Sequence, residues 1–157
     1  MNNFSQLLAT EIWLPVNIEL DVRVDNGEPW TRVAVSGDVL YDDWIQGPLE
    51  LSTRVHIDQP VVVEISMRHK IYHSDRETAI LLRRVEVDGI DVLSEFSHLS
   101  VYEHEHGGEP GPTTYLGVNG DWRLEITPCF YQWLHRCQGQ GWLLTPVRAK
   151  IPGSVPN

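Results

Sequence analysis

Polar and apolar positions alternate along much of this chain. In VNIELDVRV, Val16, Ile18, Leu20, Val22 and Val24 fall on one side, and Asn17, Glu19, Asp21 and Arg23 on the other. A period of two is the side-chain spacing of an extended strand, so this stretch reads as a strand with one dry and one wet face. DNGEP makes a turn, and WTRVAVS a second strand ending at Gly37-Asp38. LELSTRVHI alternates again until Asp58-Gln59-Pro60 interrupts it, and VVVEISMRH follows with Val61, Val63, Ile65 and Met67 on one side. TAILLRRVEV is another strand, but its apolar phase slips at Arg83-Arg84, from Ile80 and Leu82 to Val85 and Val87. One extra residue in a β-bulge would produce that slip. Asp88-Gly89 makes a tight turn into Ile90-Asp91-Val92. HLSVYEHE reads as a strand with Leu99 and Val101 on one face and Tyr102, His104 and His106 on the other. Between TTYLGV and DWRLEI, Asn119-Gly120 predicts a two-residue type I′ hairpin, because both residues tolerate positive φ. That hairpin would place Gly117 opposite the Trp122 indole, with Tyr115, Trp122, Leu124 and Ile126 on one face.

The period then changes. Phe130, Trp133, Leu134 and Cys137 fall at i, i+3, i+4 and i+7, one apolar face of a helix. Thr127 caps it, Pro128 suits its first turn, and Gly139 and Gly141 stop it. WLLTP resumes an extended segment, and VRAKIPGSVPN reads as an arm. The fold expected is all-β: a β-sandwich of jelly-roll type with about eight or nine short antiparallel strands and one short helix near residues 128–138. Residues 1–15 would be an N-terminal arm, 16–146 the sandwich domain and 147–157 an extended C-terminal arm. Trp122, Phe130, Trp133 and Trp142 would form one packed cluster.

At 157 residues the chain has the length of one domain with a sizeable core. Its 22 acidic and 12 basic side chains leave a net charge of -10, which offers no general attraction for nucleic acid or an anionic membrane. Cys129 and Cys137 flank the predicted helix, roughly 12 Å apart at its rise per residue, so they read as free thiols suited to a reducing compartment. MNNFSQLLATEIWLP lacks the basic and long apolar regions of a signal peptide, and no apolar run is long enough to span a membrane. The expectation is a soluble protein made in a cytoplasm.

Three groups of residues invite a chemical reading. His104 and His106, two apart on a strand, would share a face and could hold one metal with Glu109. The stretch comes near the first metal motif of the cupins, but only two residues separate His106 from Glu109, His98 stands where glycine is wanted, and Gly117 comes one residue late. The only later histidine is His135, inside the predicted helix. These residues therefore read as a polar strand end, with no metal or cofactor. No Gly-x-Ser-x-Gly elbow or phosphate-binding loop is present, so no enzyme is expected. Asp42-Asp43 and Asp88/Asp91 read as solvated turn residues, with calcium binding or glycosidase chemistry as the alternative for Asp42-Asp43. Trp13, Trp30 and Trp44 lie near turn signals; with Tyr102 they are candidates for contact with a partner or a glycan, against a place in the core or an interface.

TYLGVNGDW and FYQWLHRCQGQGWLLTP, with the looser VEVDGIDV, resemble segments of small all-β virion proteins of tailed bacteriophages, including phages of cyanobacteria. The resemblance lies mainly over residues 113–146 and brings no ligand residues with it. It implies a non-enzymatic structural protein of the virion, assembled in the host cytoplasm: a capsid decoration (cement) protein, or a neck or tail accessory subunit. Other virion subunits would be its partners, and a homo-oligomer, a trimer, its expected assembly. VEVDGIDV also resembles a strand-turn of calcium-dependent xylan-binding modules, whose remaining pattern the chain lacks. A carbohydrate-binding module for host-surface glycan is the alternative function, and a metal-dependent jelly-roll enzyme using His104, His106 and Glu109 the third.

Overall fold

Two antiparallel sheets take up the alternating segments in a computed structural model that describes residues 12–23, 29–70 and 78–138. Among these residues the strands are β1 (Trp13–Arg23), β2 (Trp30–Val35), β3 (Asp38–Trp44), β4 (Leu49–His56), β5 (Val61–Arg68), β6 (Ala79–Val87), β7 (Ile90–Asp91), β8 (Val101–His104), β9 (Tyr115–Leu116) and β10 (Gly120–Ile126). Two helices join them, α1 (Val92–Phe96), continued by a 3-10 turn at Ser97–Leu99, and α2 (Phe130–Gln138). One sheet runs β4-β1-β6-β7, with β9 also on β6; the other runs β3-β2-β5-β10-β8. The hairpins β2–β3 and β6–β7 stay within a sheet, while the other successive strands cross between sheets, giving the jelly-roll type of sandwich.

The dry faces meet in the middle. Val16, Ile18 and Leu20 of β1 pack with Val63, Ile65 and Met67 of β5 and with Trp122, Leu124 and Ile126 of β10, all buried. Each such side chain contributes about 1.5–3 kcal/mol by leaving water. The bulge predicted at Arg83-Arg84 is present: Glu19 pairs with Arg84 and Leu20 with Leu82, leaving Arg83 as the extra residue. Both apolar phases of β6 are thereby turned inward. Ser36-Gly37 and Asp88-Gly89 turn the two hairpins, each residue with positive φ.

Several elements differ from their sequence reading. Asn119-Gly120 does not make a hairpin: β9 pairs with β6, whereas β10 pairs with β5 and β8. The buried Asn119 side chain instead accepts from the Lys70 amide at 3.0 Å and donates to its carbonyl at 3.3 Å, fastening the crossing between sheets. Trp122 therefore stands beside Ile65 and Tyr102, not opposite Gly117, and Tyr115 is exposed. Asp42-Asp43 lies within β3 and not in a turn. The sheet begins at Trp13, so the last three residues of the expected N-terminal arm belong to β1. Extension after β7 stops because the Asp91 carboxylate caps α1, accepting from the amides of Leu93 and Ser94. The predicted C-terminal helix is there from Phe130, with Phe130, Trp133 and Leu134 buried. Its Trp133 ring lies 4.9 Å from Phe96 and 6.3 Å from Phe130. Trp122 belongs to the same core; Trp142 and the C-terminal arm lie outside the described residues. Cys129 and Cys137 are free and half-buried, and burial pushes the Cys137 thiol above its ordinary pKa.

Candidate functional site

The wet face of the β3-β2-β5-β10-β8 sheet gathers polar side chains that lie far apart in the sequence. Alternation sends Trp30 and Arg32 of β2, Glu64, Ser66 and Arg68 of β5, and Asp121 and Arg123 of β10 outward. Strand register aligns them in rows. One row reads Trp44, Trp30, Arg68; the next reads Asp42, Arg32, Ser66, Asp121, Glu103; a third sets Glu64 beside Arg123 and Val101. All of them except Trp44 line a groove of about 500 Å³, within the usual size of a ligand site.

One end of this groove is aromatic. The Trp30 ring lies 5.2 Å from that of Trp44, edge to face, and His69 stands 5.8 Å from Trp44. His69 has φ +64, a left-handed conformation that histidine tolerates better than most residues, as the chain leaves β5. The Trp30 indole N–H donates to Asp42 Oδ1 at 2.6 Å, which fixes the ring, and Trp44 is 43% exposed at the rim. The middle of the groove is held by charge. Arg68 donates to Asp121 Oδ1 at 2.8 Å and to the carbonyls of Met67 and Gly120, while Ser66 donates to the same carboxylate oxygen at 2.6 Å. Arg123 lies 3.9 Å from Glu64 and 3.3 Å from Glu125. Such a face offers fixed donors, fixed carboxylate acceptors and an apolar ring surface side by side.

The residues singled out in the sequence are dispersed. Trp30 and Trp44 come together here. Trp13 belongs to the other sheet, where Arg54 sits over its ring at 5.6 Å and His56 meets its edge at 5.3 Å. Tyr102 is not a surface contact: only 3% exposed, it packs inside, bonded through its hydroxyl to the Val118 carbonyl. Val101 and Tyr102 lie on opposite faces of β8 as expected: Val101 and Glu103 face the groove while Tyr102 lies inside beside Trp122. His104 ends β8, and a turn follows at Glu105-His106, closed by the Gly107 amide on the His104 carbonyl. The strand thus ends between the two histidines, which still line one hollow of about 220 Å³ with Gly107, Val118 and Asn119, and His106 lies 3.7 Å from Glu105. Among the described residues no group of three or more His, Cys, Asp or Glu side chains is placed to share an ion. Asp42 and Asp43 do not converge either, because the Asp43 carboxylate accepts from the Trp44 amide. Arg32, Arg68, His69 and Asp121 escaped the sequence reading. Alternation marked their strands' wet faces, but only pairing shows which wet faces adjoin.

No known family profile matches the chain, and no curated protein does. Among solved structures it is similar to the carbohydrate-binding module vCBM60 in complex with galactobiose, at 13% identity and a TM-score of 0.47, over 69% of this chain and 95% of that one. It is equally similar to the selenomethionine form of vCBM60, described as a calcium-dependent carbohydrate-binding module, at 13% identity and a TM-score of 0.47, over 70% of this chain and 88% of that one. The likeness is too distant to carry any residue across.

Proposed function

We propose that this chain is a non-catalytic carbohydrate-binding β-sandwich in which the outer face of the β3-β2-β5-β10-β8 sheet receives the sugar. The observation that carries this reading is the groove itself, with Trp30 at one end, the exposed Trp44 ring against it, and a row of carboxylate, hydroxyl and guanidinium groups beside them. Pyranose rings present apolar C–H faces that pack on an indole, and a rim of hydroxyls that both donate and accept. Trp30 would take the first, and Asp42, Arg32, Ser66 and Asp121 the second. Asp42 is already oriented by Trp30, and Ser66 and Asp121 by each other and Arg68, so little of their side-chain entropy would be lost on binding.

Affinity electrophoresis through gels loaded with soluble polysaccharides tests this directly. The protein should be retarded by at least one, and Trp30→Ala and Trp44→Ala should each weaken binding about thirtyfold, the scale of about 2 kcal/mol for a buried aromatic contact. Retardation unchanged in both variants, with their folding intact, would sink the reading. The bacteriophage resemblance over residues 113–146 supplies a setting for the same activity: a virion accessory subunit, partnered by other virion subunits and assembled as a homotrimer, that engages glycan on the host surface. A native mass spectrum giving a monomer that also fails to join particles would remove that setting while leaving sugar binding in place.

A further inference from the structure

We infer that the ligand is an uncharged polysaccharide, bound along an internal stretch that runs parallel to the strands and occupies two adjoining depressions; this rests on the carbohydrate reading above. A second hollow of about 460 Å³ lies beyond the groove, between the Ser36-Gly37 turn and Gln59-Pro60. Glu64 and Arg123 line both hollows. Their side chains are 40% and 51% exposed and 3.9 Å apart, so the boundary between the hollows is a low ion pair and not a wall. From Trp30 to Ser36 along β2 is six residue steps, roughly 20 Å at the rise of a strand. A single sugar ring would leave most of that path empty, whereas a chain would fill it.

Charge selects the kind of chain. The groove holds four carboxylates, of Asp42, Glu64, Glu103 and Asp121, against three guanidiniums, of Arg32, Arg68 and Arg123. Two of the three guanidiniums are already engaged by carboxylates of the protein. The whole chain adds a net charge of -10. A polymer carrying a carboxylate on each sugar would meet this surface as a like charge, whereas hydroxyls meet it as ready hydrogen-bond partners.

The test has two arms. In the first, the protein is titrated calorimetrically with hydroxyethyl cellulose, glucomannan and galactan, and with polygalacturonate and alginate. Binding is expected to neutral polymers only, and to change little between low and moderate salt. In the second, oligosaccharides of two to six sugars, cut from whichever polymer binds, are compared. Affinity should rise about tenfold or more from the shortest to the longest, and Gln59→Ala, in the second hollow, should shrink that ratio. A disaccharide that binds as tightly as the hexasaccharide, or a preference for the polyuronates, overturns this inference. Both results would leave the carbohydrate reading standing, provided Trp30→Ala still weakens binding. Silence of every polymer overturns the two together.

Discussion

At the scale of single residues, Tyr131 gives the sharpest handle. Its hydroxyl, on the exposed side of α2, donates to the Asp88 carboxylate in the β6–β7 turn. That hydrogen bond first, then burial and the Asp88 charge, push its pKa from the ordinary 10.0 up to about 12. The folded value lies above the unfolded one, so the contact contributes its full stability below pH 10 and loses it as pH rises through about 12. Tyrosinate absorbance should therefore show a component that ionises late in the folded protein, and Tyr131→Phe should remove it. If the late component is undiminished in that variant, the Asp88 contact does not form in solution. The partners are 43 residues apart. No local pattern announces such a pair, which is why Asp88 reads in the sequence as a turn residue and nothing more.

At the scale of elements, alternation was a good guide to strands and a poor one to their neighbours. Strands β1, β4, β5 and β6 and the bulge at Arg83 follow from the two-residue period, and α2 from the change to a helical one. Asn119-Gly120 misled because the glycine serves a different physical need. Gly120 does not have positive φ; it sits where β10 passes β8 so closely that a Cβ would lie 2.3 Å from the Glu103 carbonyl oxygen and 3.1 Å from His104 Cα. Gly120→Ala must therefore push β8 away from β10, and should destabilise the fold by about 1–3 kcal/mol in a denaturant melt. A cost of a few tenths would mean that β8 is loosely held. The same crossing hid the candidate site. Trp30 and Trp44 were visible as tryptophans near turns, but their pairing passes through a shift of register in β2–β3, and Asp121 reaches the groove only because β10 adds to β5 instead of folding back on β9.

At the scale of the whole molecule, charge is the dominant unbalanced quantity. The net charge of -10 is spread over the surface of a small sandwich, while the ion pairs that offset it, such as Arg84 with Glu86 and Arg68 with Asp121, are exposed to solvent that weakens them. Self-repulsion of this kind acts over distances that salt screens, the Debye length being about 10 Å at 0.1 M and about 3 Å at 1 M. Close pairs at 2.6–2.8 Å are screened far less than the many like charges standing further apart. Raising sodium chloride from about 0.01 M to about 0.5 M at pH 7 should therefore increase the melting temperature, by about 2–4 °C for each kcal/mol of repulsion relieved. The increase should vanish near pH 5, where the sequence pI of about 5.0 leaves no net charge to screen. Scanning calorimetry at the two pH values separates the possibilities: a melting temperature that falls with salt at pH 7 would mean that the local ion pairs, including those that shape the groove, contribute more to stability than the global repulsion takes away.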